Sequence, residues 1–173
     1  MKIFIFDRDG VINIDKDSYV CKIKDFVFRK GIFEVMSFLI LHNYKIFIAT
    51  NQSGIGRGMY TEIDFEKLTN YMLNEFKKRN IKIEKVFYCP HNPEDDCECR
   101  KPKTKMVENL FSKNKINKNK SFMIGDKDAD ILFGKRLGLK TIRVKSKHPK
   151  NVKANYTVEE LIEIKNIIQG EEK

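Results

Sequence analysis

The 173-residue sequence predicts one α/β domain, residues 1–173, built on a mainly parallel central sheet. Three observations lead there. Short apolar runs alternate with longer segments of helical period along almost the whole chain, as in repeated strand–helix units. The apolar runs are hydrophobic at nearly every position, not at every second one, as expected of strands covered on both faces. Hydrophobic residues make up 41% of the chain, with no internal repeat or linker, which suffices for one full core.

Lys2–Phe6 (KIFIF) reads as the first strand and runs straight into Asp7, Asp9 and Gly10. Residues 13–29 mix acids, lysines and aromatics and read as a loop or flap over that strand end. Residues 31–42 carry Ile32, Phe33, Val35, Met36, Phe38, Leu39 and Leu41, a largely buried helix. Residues 45–50 (KIFIAT) form the second strand and enter a polar, glycine-rich loop, 51–58. Thr61 with Asp64 marks a helix start. Phe65, Leu68, Met72, Leu73 and Phe76 then recur on one helical face.

Residues 84–88 form a short third strand, followed by a Cys/His-containing segment, 89–102. Residues 104–113 predict a helix with Met106, Val107, Leu110 and Phe111 apolar. Residues 121–124 form a fourth strand, 128–137 a short helix closed by Gly138, and 139–144 a fifth strand. Thr157 and Glu160 have capping-box spacing and predict a last helix bearing Leu161, Ile164, Ile167 and Ile168.

The net charge is +10 and the pI is near 9.4. Such a surface can hold nucleic acid, anionic lipid or a small phosphorylated ligand. The lysines are spread along the whole chain, as on a solvated surface, and the densest run, KNKINKNK at 113–120, reads as a polar loop. No apolar run reaches the length of a membrane span, and the chain opens on strand-like sequence without a basic-then-apolar leader. The expectation is a cytoplasmic protein with no membrane partner.

In parallel sheets ligands bind beyond the carboxyl ends of the strands. Asp7, Thr50, Cys89 and Asp126 all fall there. Asp7 and Asp9 are two apart at a strand end and can point into one cavity. Two close acids repel unless a cation or a shared proton intervenes, and a hard cation such as Mg²⁺ suits them. The alternative is a pair of acids in an exposed turn or capping a helix. Asp126, from a neighbouring strand, can complete the cation site, giving Asp7, Asp9 and Asp126. Asp128 and Asp130 read as first-turn helix acids that complement the dipole, or Asp130 as a supporting group behind the site.

Thr50, Asn51, Gln52 and Ser53 offer hydroxyl, amide and backbone N–H donors for a phosphate, or form a polar connecting turn. Lys101 can hold a phosphate as a point charge and Arg100 can read a second anion bidentately; each alone could equally be a surface cation. Cys89, His91, Cys97 and Cys99 bring three thiols and one imidazole into a compact loop, a tetrahedral set for structural Zn²⁺ with no open position. That loop runs directly into Arg100 and Lys101 and would hold them rigidly. Cys21 reads as an unpaired thiol, and His42 and His148 as structural or solvated.

With these residues in order, the sequence resembles the haloacid dehalogenase (HAD) superfamily of phosphatases. The resemblance rests on Asp7-Arg8-Asp9-Gly10, Thr50-Asn51-Gln52, Lys101 and Gly125-Asp126-Lys127-Asp128-Ala129-Asp130. More narrowly it is similar to the heptose bisphosphate phosphatases, through DRDGVIN, TNQSGIGRGMYTEIDF, YCPHNPEDDCECRKP and MIGDKDADI. The resemblance implies a Rossmann-like sheet with a minimal cap and a zinc-binding loop on Cys89, His91, Cys97 and Cys99. It implies Asp7 as nucleophile and Mg²⁺ ligand, Asp9 as general acid/base, and Asp126 as metal ligand. Thr50 and Lys101 would stabilise the phosphoryl group, Arg100 would recognise substrate, and Lys127 would contact it. Asp15, Ser18 and Tyr19 transfer loosely as substrate contacts, because the segment after Asn13 is longer than in some relatives.

The resemblance therefore implies an Mg²⁺-dependent phosphatase, expected to act as a monomer on a small phosphorylated sugar. Asp7 would carry an aspartyl-phosphate, and Asp9 would start protonated. A rival is histidinol-phosphate phosphatase, which shares the motifs and a similar zinc loop; the form Asn51-Gln52-Ser53-Gly54-Ile55-Gly56-Arg57-Gly58 favours the heptose branch. A rival of another class is a zinc-bearing nucleic-acid-binding module, which the charge suggests. It lacks aromatics interleaved on a basic stripe.

Overall fold

Strand β1 (Lys2–Phe6) is the centre of the molecule because every residue from Ile3 to Phe6 is apolar and fully buried. In the computed structural model, which describes residues 1–16 and 18–171, it pairs in parallel with β2 (Tyr44–Asn51) on one side and β4 (Phe122–Gly125) on the other. Strands β3 (Ile83–Cys89), β5 (Lys140–Val144) and β6 (Tyr156–Val158) complete a six-stranded sheet in the order β3-β2-β1-β4-β5-β6. All its pairings are parallel.

Side chains alternate across each strand, so β1 feeds two cores. Phe4 and Phe6 face one layer with α1 (Ile32–Leu41), α3 (Glu62–Lys77) and α6 (Ile164–Glu171), through Val35, Met36, Leu39, Leu68, Met72, Phe76, Ile164 and Ile168. Ile3 and Ile5 face the other with α4 (Glu108–Lys113) and α5 (Asp128–Arg136), through Leu110 and Phe133. The predicted start of α3 is present: Thr61 and Asp64 form a reciprocal capping box. Among the described residues between β1 and α1 the chain makes loops, two isolated bridges and one 3₁₀ turn (Ile23–Asp25), too little for a folded cap domain. No helix among the described residues is long and apolar enough to cross a membrane.

The structure departs from the sequence reading in the carboxyl-terminal third and in two helices. Thr157 lies in β6 rather than capping a helix, because Tyr156 and Val158 alternate inward beside Ile142 and Val144 of β5. The helix start is three residues later, where the Glu163 carboxylate accepts from the Glu160 N–H at 2.7 Å. The helix expected at 104–113 is divided into a 3₁₀ turn (Lys105–Val107) and α4, and the loop after β2 contains one helical turn, α2 (Ser53–Gly56).

Candidate active site

The carboxyl ends of β1 and β2 deliver Asp7 and Thr50 to one cleft of about 470 Å³, and the end of β4 sets Asp126 beside Asp7 at its edge, where it lines a neighbouring pocket. Asp7 is fixed by its own N–H, which donates to Ile124 O at 2.9 Å across to β4. Lys101 arrives from the segment after β3 and is buried. Its ammonium donates to Asp7 Oδ1 (2.7 Å) and Ala49 O (2.7 Å) and contacts Asp130 Oδ1 (2.6 Å), which uses its full donor set. Asn51 holds the backbone of Lys101 from both sides, donating to its carbonyl at 3.1 Å and accepting from its N–H at 3.0 Å. Asn51, expected to face substrate, thus positions the lysine.

Asp7, Asp126 and Asp130 each present a carboxylate oxygen within 4.8 Å of the others, and all three are buried. Burial, with repulsion from Asp130, pushes the Asp7 carboxyl up to about 6, although Lys101 opposes the shift. Burial and the neighbouring Asp7 push Asp126 up to about 7. Burial pulls the Lys101 ammonium down, but Asp130 and Asp7 outweigh it and hold it above its usual range. Neither oxygen of Asp126 has a hydrogen-bond partner. Fully buried and unpartnered carboxylate oxygens beside further acids make a donor set that fits a hard divalent cation such as Mg²⁺. Gly10 permits this approach: a Cβ there would lie 2.5 Å from Asp126 Oδ2, and its φ of +92° is one that L side chains rarely adopt.

Asp9 has a different environment from Asp7. Its oxygens accept from Arg8 Nε (3.1 Å) and NH2 (3.0 Å), Asn13 Nδ2 (3.0 Å) and Gln52 Nε2 (2.9 Å). Its carboxylate is therefore outside the three-acid group that Asp7 and Asp126 share with Asp130. Gln52 also donates to Thr50 Oγ1 at 2.8 Å and accepts from Tyr60 OH at 2.5 Å, so one amide ties Asp9, Thr50 and Tyr60 together.

Asp15, Ser18, Tyr19, Ser53, Arg100 and Lys127 line the same cleft. Lys127 reaches Asp15 at 3.2 Å; burial alone would lower it, but Asp7, Asp126 and Asp15 raise it. Tyr19 OH lies 3.5 Å from Ser53 Oγ. Arg100 NH1 is buried without a partner, a donor left for an incoming anion.

The four predicted zinc residues converge. Sγ of Cys89 lies 3.4 Å from that of Cys97, 3.2 Å from that of Cys99 and 3.5 Å from His91 Nδ1. His91 Nδ1 lies 3.2 Å from Cys99, and Cys97 and Cys99 are 3.6 Å apart. A tetrahedral Zn²⁺ with bonds of about 2.3 Å to sulfur needs edges of about 3.8 Å, so the residues fit the ion with small adjustment. Burial pushes the Cys89 thiol up, which a metal would reverse.

Of the two roles expected for Asp130, the structure shows the supporting one: it holds Lys101, and its other oxygen accepts from the Lys127 N–H at 3.1 Å. His148 is not a solvated residue of a basic loop. Its Nε2 lies 3.0 Å from Asp15 and 3.6 Å from Asp126, because the chain after β5 folds back over the end of β4. The Asp-Ala-Asp spacing after Gly125 was the available signal for Asp130; His148 had none.

Comparison with known proteins agrees with this geometry. A HAD-hydrolase-like family model matches residues 98–162. The chain is 49% identical over 141 residues to D-glycero-alpha-D-manno-heptose-1,7-bisphosphate 7-phosphatase of Campylobacter jejuni, covering 82% of this chain and 80% of that one. It is 46% identical over 134 residues to D-glycero-beta-D-manno-heptose-1,7-bisphosphate 7-phosphatase of Helicobacter pylori, covering 77% of each. Among solved structures, D,D-heptose 1,7-bisphosphate phosphatase from B. bronchiseptica, complexed with magnesium and phosphate, superposes with a TM-score of 0.87 over 99% of both chains at 24% identity, a likeness of fold. The sheet, the acids at its edge and these relatives agree: the chain is a phosphoric monoester hydrolase and belongs to the D-glycero-D-manno-heptose-1,7-bisphosphate 7-phosphatase family of HAD-like hydrolases.

Proposed function

We propose that this hydrolase removes the 7-phosphate of D-glycero-D-manno-heptose 1,7-bisphosphate, in the synthesis of nucleotide-activated heptose, through an aspartyl-phosphate on Asp7. The observation that carries the mechanism is the 2.7 Å contact between buried Lys101 and Asp7, beside the unpartnered carboxylate of Asp126. Asp7, Asp126 and the main-chain oxygen of Asp9 would hold Mg²⁺, the Asp9 carboxylate staying with its own donors. When bound, that ion would lower repulsion between the nucleophile and the phosphate and stabilise charge on the equatorial oxygens.

Asp7 attacks phosphorus in line and the P–O bond to the sugar breaks. Lys101 and Thr50 hold the phosphoryl oxygens. Asp9 gives a proton to the departing alkoxide, then takes one from the water that hydrolyses the acyl phosphate. To begin, Asp9 must carry a proton and release one of the donors now on its oxygens; Gln52, shared with Thr50 and Tyr60, couples that release to the phosphate pocket. Arg100 and Lys127 receive the second phosphate, and Asp15, Ser18, Tyr19, Asn51 and Ser53 shape the rest of the cleft.

Zn²⁺ on Cys89, His91, Cys97 and Cys99 would be structural, and its thiolates suit a reducing cytoplasm. The enzyme would work as a monomer on a free sugar phosphate, without nucleic acid or membrane. The two relatives named above differ in anomer. The deciding measurement is kcat/KM for both anomers of the bisphosphate, for histidinol phosphate and for a 3′-phosphorylated oligonucleotide. The highest value is expected for one heptose anomer, and preference for either of the last two would displace the proposal. Asp7→Asn should abolish turnover and leave the circular dichroism spectrum unchanged; near-wild-type turnover would overturn the aspartyl-phosphate.

A further inference from the structure

Asp126 also belongs to a second group of candidate ligands. Asp15, Asp126 and His148 each offer a ligand atom within 4.8 Å of the others. They come from three segments: the flap after β1, the end of β4 and the turn after β5. The turn is anchored. Buried Arg143 donates to Asp126 O (3.1 Å) and Val152 O (2.8 Å), and the N–H groups of Asn151 and Val152 donate to Asp128 (3.0 and 3.2 Å). Ser146 Oγ donates to Asp126 O at 3.3 Å and accepts from the His148 N–H at 3.2 Å. The imidazole is therefore held in place over a buried carboxylate that lacks any hydrogen-bond partner. A pocket of about 480 Å³ gives access from solvent; it is lined also by Gly10, Ile14, Ser146 and four cationic residues, of which Arg29 donates to Gly10 O and Lys145 pairs with Glu159.

An imidazole with two carboxylates selects differently from the all-oxygen set at Asp7. Imidazole suits zinc and its neighbours, whereas Mg²⁺ prefers oxygen. We propose that Asp15, Asp126 and His148 form a transition-metal site, and that an ion there inhibits the enzyme by drawing Asp126 away from Asp7. The inhibition rests on the reading of Asp126 as an Mg²⁺ ligand; the binding does not. Both ions would need Asp126, and two divalent charges sharing one carboxylate repel each other, so the inhibition is competitive with Mg²⁺; the ion must also displace Lys127, 3.2 Å from Asp15.

The test uses the full chain with its cysteine cluster already loaded, and Zn²⁺ as the probe. The chain has three histidines, His42, His91 and His148, so their imidazole ¹⁵N resonances are separable by NMR. Zn²⁺ beyond the cluster's equivalent should shift His148 Nε2, and Mg²⁺ alone should not. Zn²⁺ should inhibit phosphomonoester hydrolysis competitively with Mg²⁺. His148→Gln should keep wild-type turnover at saturating Mg²⁺ and raise the half-inhibiting Zn²⁺ concentration at least about tenfold. Unchanged inhibition in His148→Gln, with the wild-type His148 resonance unmoved, would place the ion at Asp7 and overturn the site. So would an Mg²⁺-dependent hydrolase indifferent to Zn²⁺. A Zn²⁺-dependent shift at His148 in a protein that hydrolyses no phosphomonoester would sink the phosphatase reading and leave the site standing.

Discussion

Replacing Asp126 by Asn should make the protein more stable without Mg²⁺ and unable to respond to it. Burial and Asp7 push this carboxyl from 3.8 to about 7. A shift of that size corresponds to on the order of 4 kcal/mol between the protonation states. The sign follows from linkage. A raised carboxyl contributes stability that is intact below pH 3.8 and lost as the pH rises through about 7. At pH 8 the Mg²⁺-free fold therefore carries a buried, unpartnered negative charge. Asparagine keeps the shape and removes the charge, but its amide is poorly satisfied, at about 1–3 kcal/mol. The net gain at pH 8 is about 2 kcal/mol, or about 4–8 °C in Tm for a chain of this size. The assay is a pair of thermal melts at pH 8 and pH 4, without and with Mg²⁺. The variant should melt higher at pH 8, the difference should shrink toward pH 4, and Mg²⁺ at about 100 times its Kd should add about 2.7 kcal/mol to the wild type alone. A variant that melts below wild type at both pH values, with no trend between them, would refute the reasoning.

Lys101→Met leaves Asp7 and Asp130 without their shared ammonium, so Tm at pH 8 should fall by the equivalent of about 3–5 kcal/mol, less at pH 5 where Asp7 can carry a proton. Its kcat should fall by about 100-fold or more, read in a phosphate-release assay. Gly10→Ala places a methyl 2.5 Å from Asp126 Oδ2, so the Mg²⁺ concentration for half-maximal rate should rise at least about tenfold. Cys97→Ser should lose the bound zinc by elemental analysis; because the loop then no longer fixes Lys101, kcat/KM should fall by up to about 100-fold.

Much of the fold was legible because β1 to β5 are apolar runs of ordinary length ending in polar residues. The parallel sheet follows from their spacing. β6 was hidden for a definite reason: it has three residues, and Thr157 stands at capping-box distance from Glu160 although Glu163 is the acid that caps. The residues of the site were legible as types, but their contacts were not. Nothing in the sequence says that Asn51 turns its amide to the backbone of Lys101, fifty positions on, rather than to a ligand. Asp130 was ambiguous because a first-turn acid and a lysine-holding acid occupy the same sequence position. His148 carried no signal, since its place over Asp126 depends on Arg143, Asp128 and Ser146 drawing the chain back after β5.

Asp7 and Asp9 begin as equivalent acids two residues apart, and the structure separates them by charge balance. The buried carboxylates of Asp7, Asp126 and Asp130 are faced by two ammonium groups, Lys101 in direct contact and Lys127 through the field it adds at Asp7 and Asp126. That leaves the three-acid group itself with one excess negative charge beside the nucleophile, where a phosphate dianion must approach. Asp9 does not add to the excess, because Arg8 balances its charge at 2.9 Å and Asn13 and Gln52 donate to its oxygens. A divalent cation reverses the sign of the balance before the phosphate arrives. On these charges Mg²⁺ is needed for substrate to bind, beyond any part in the transition state, and it should bind first. In the proposed mechanism Asp7 can then be a nucleophile with its charge intact, while the Asp9 carboxylate, held apart from the ion by its own donors, is left to exchange a proton with the leaving sugar.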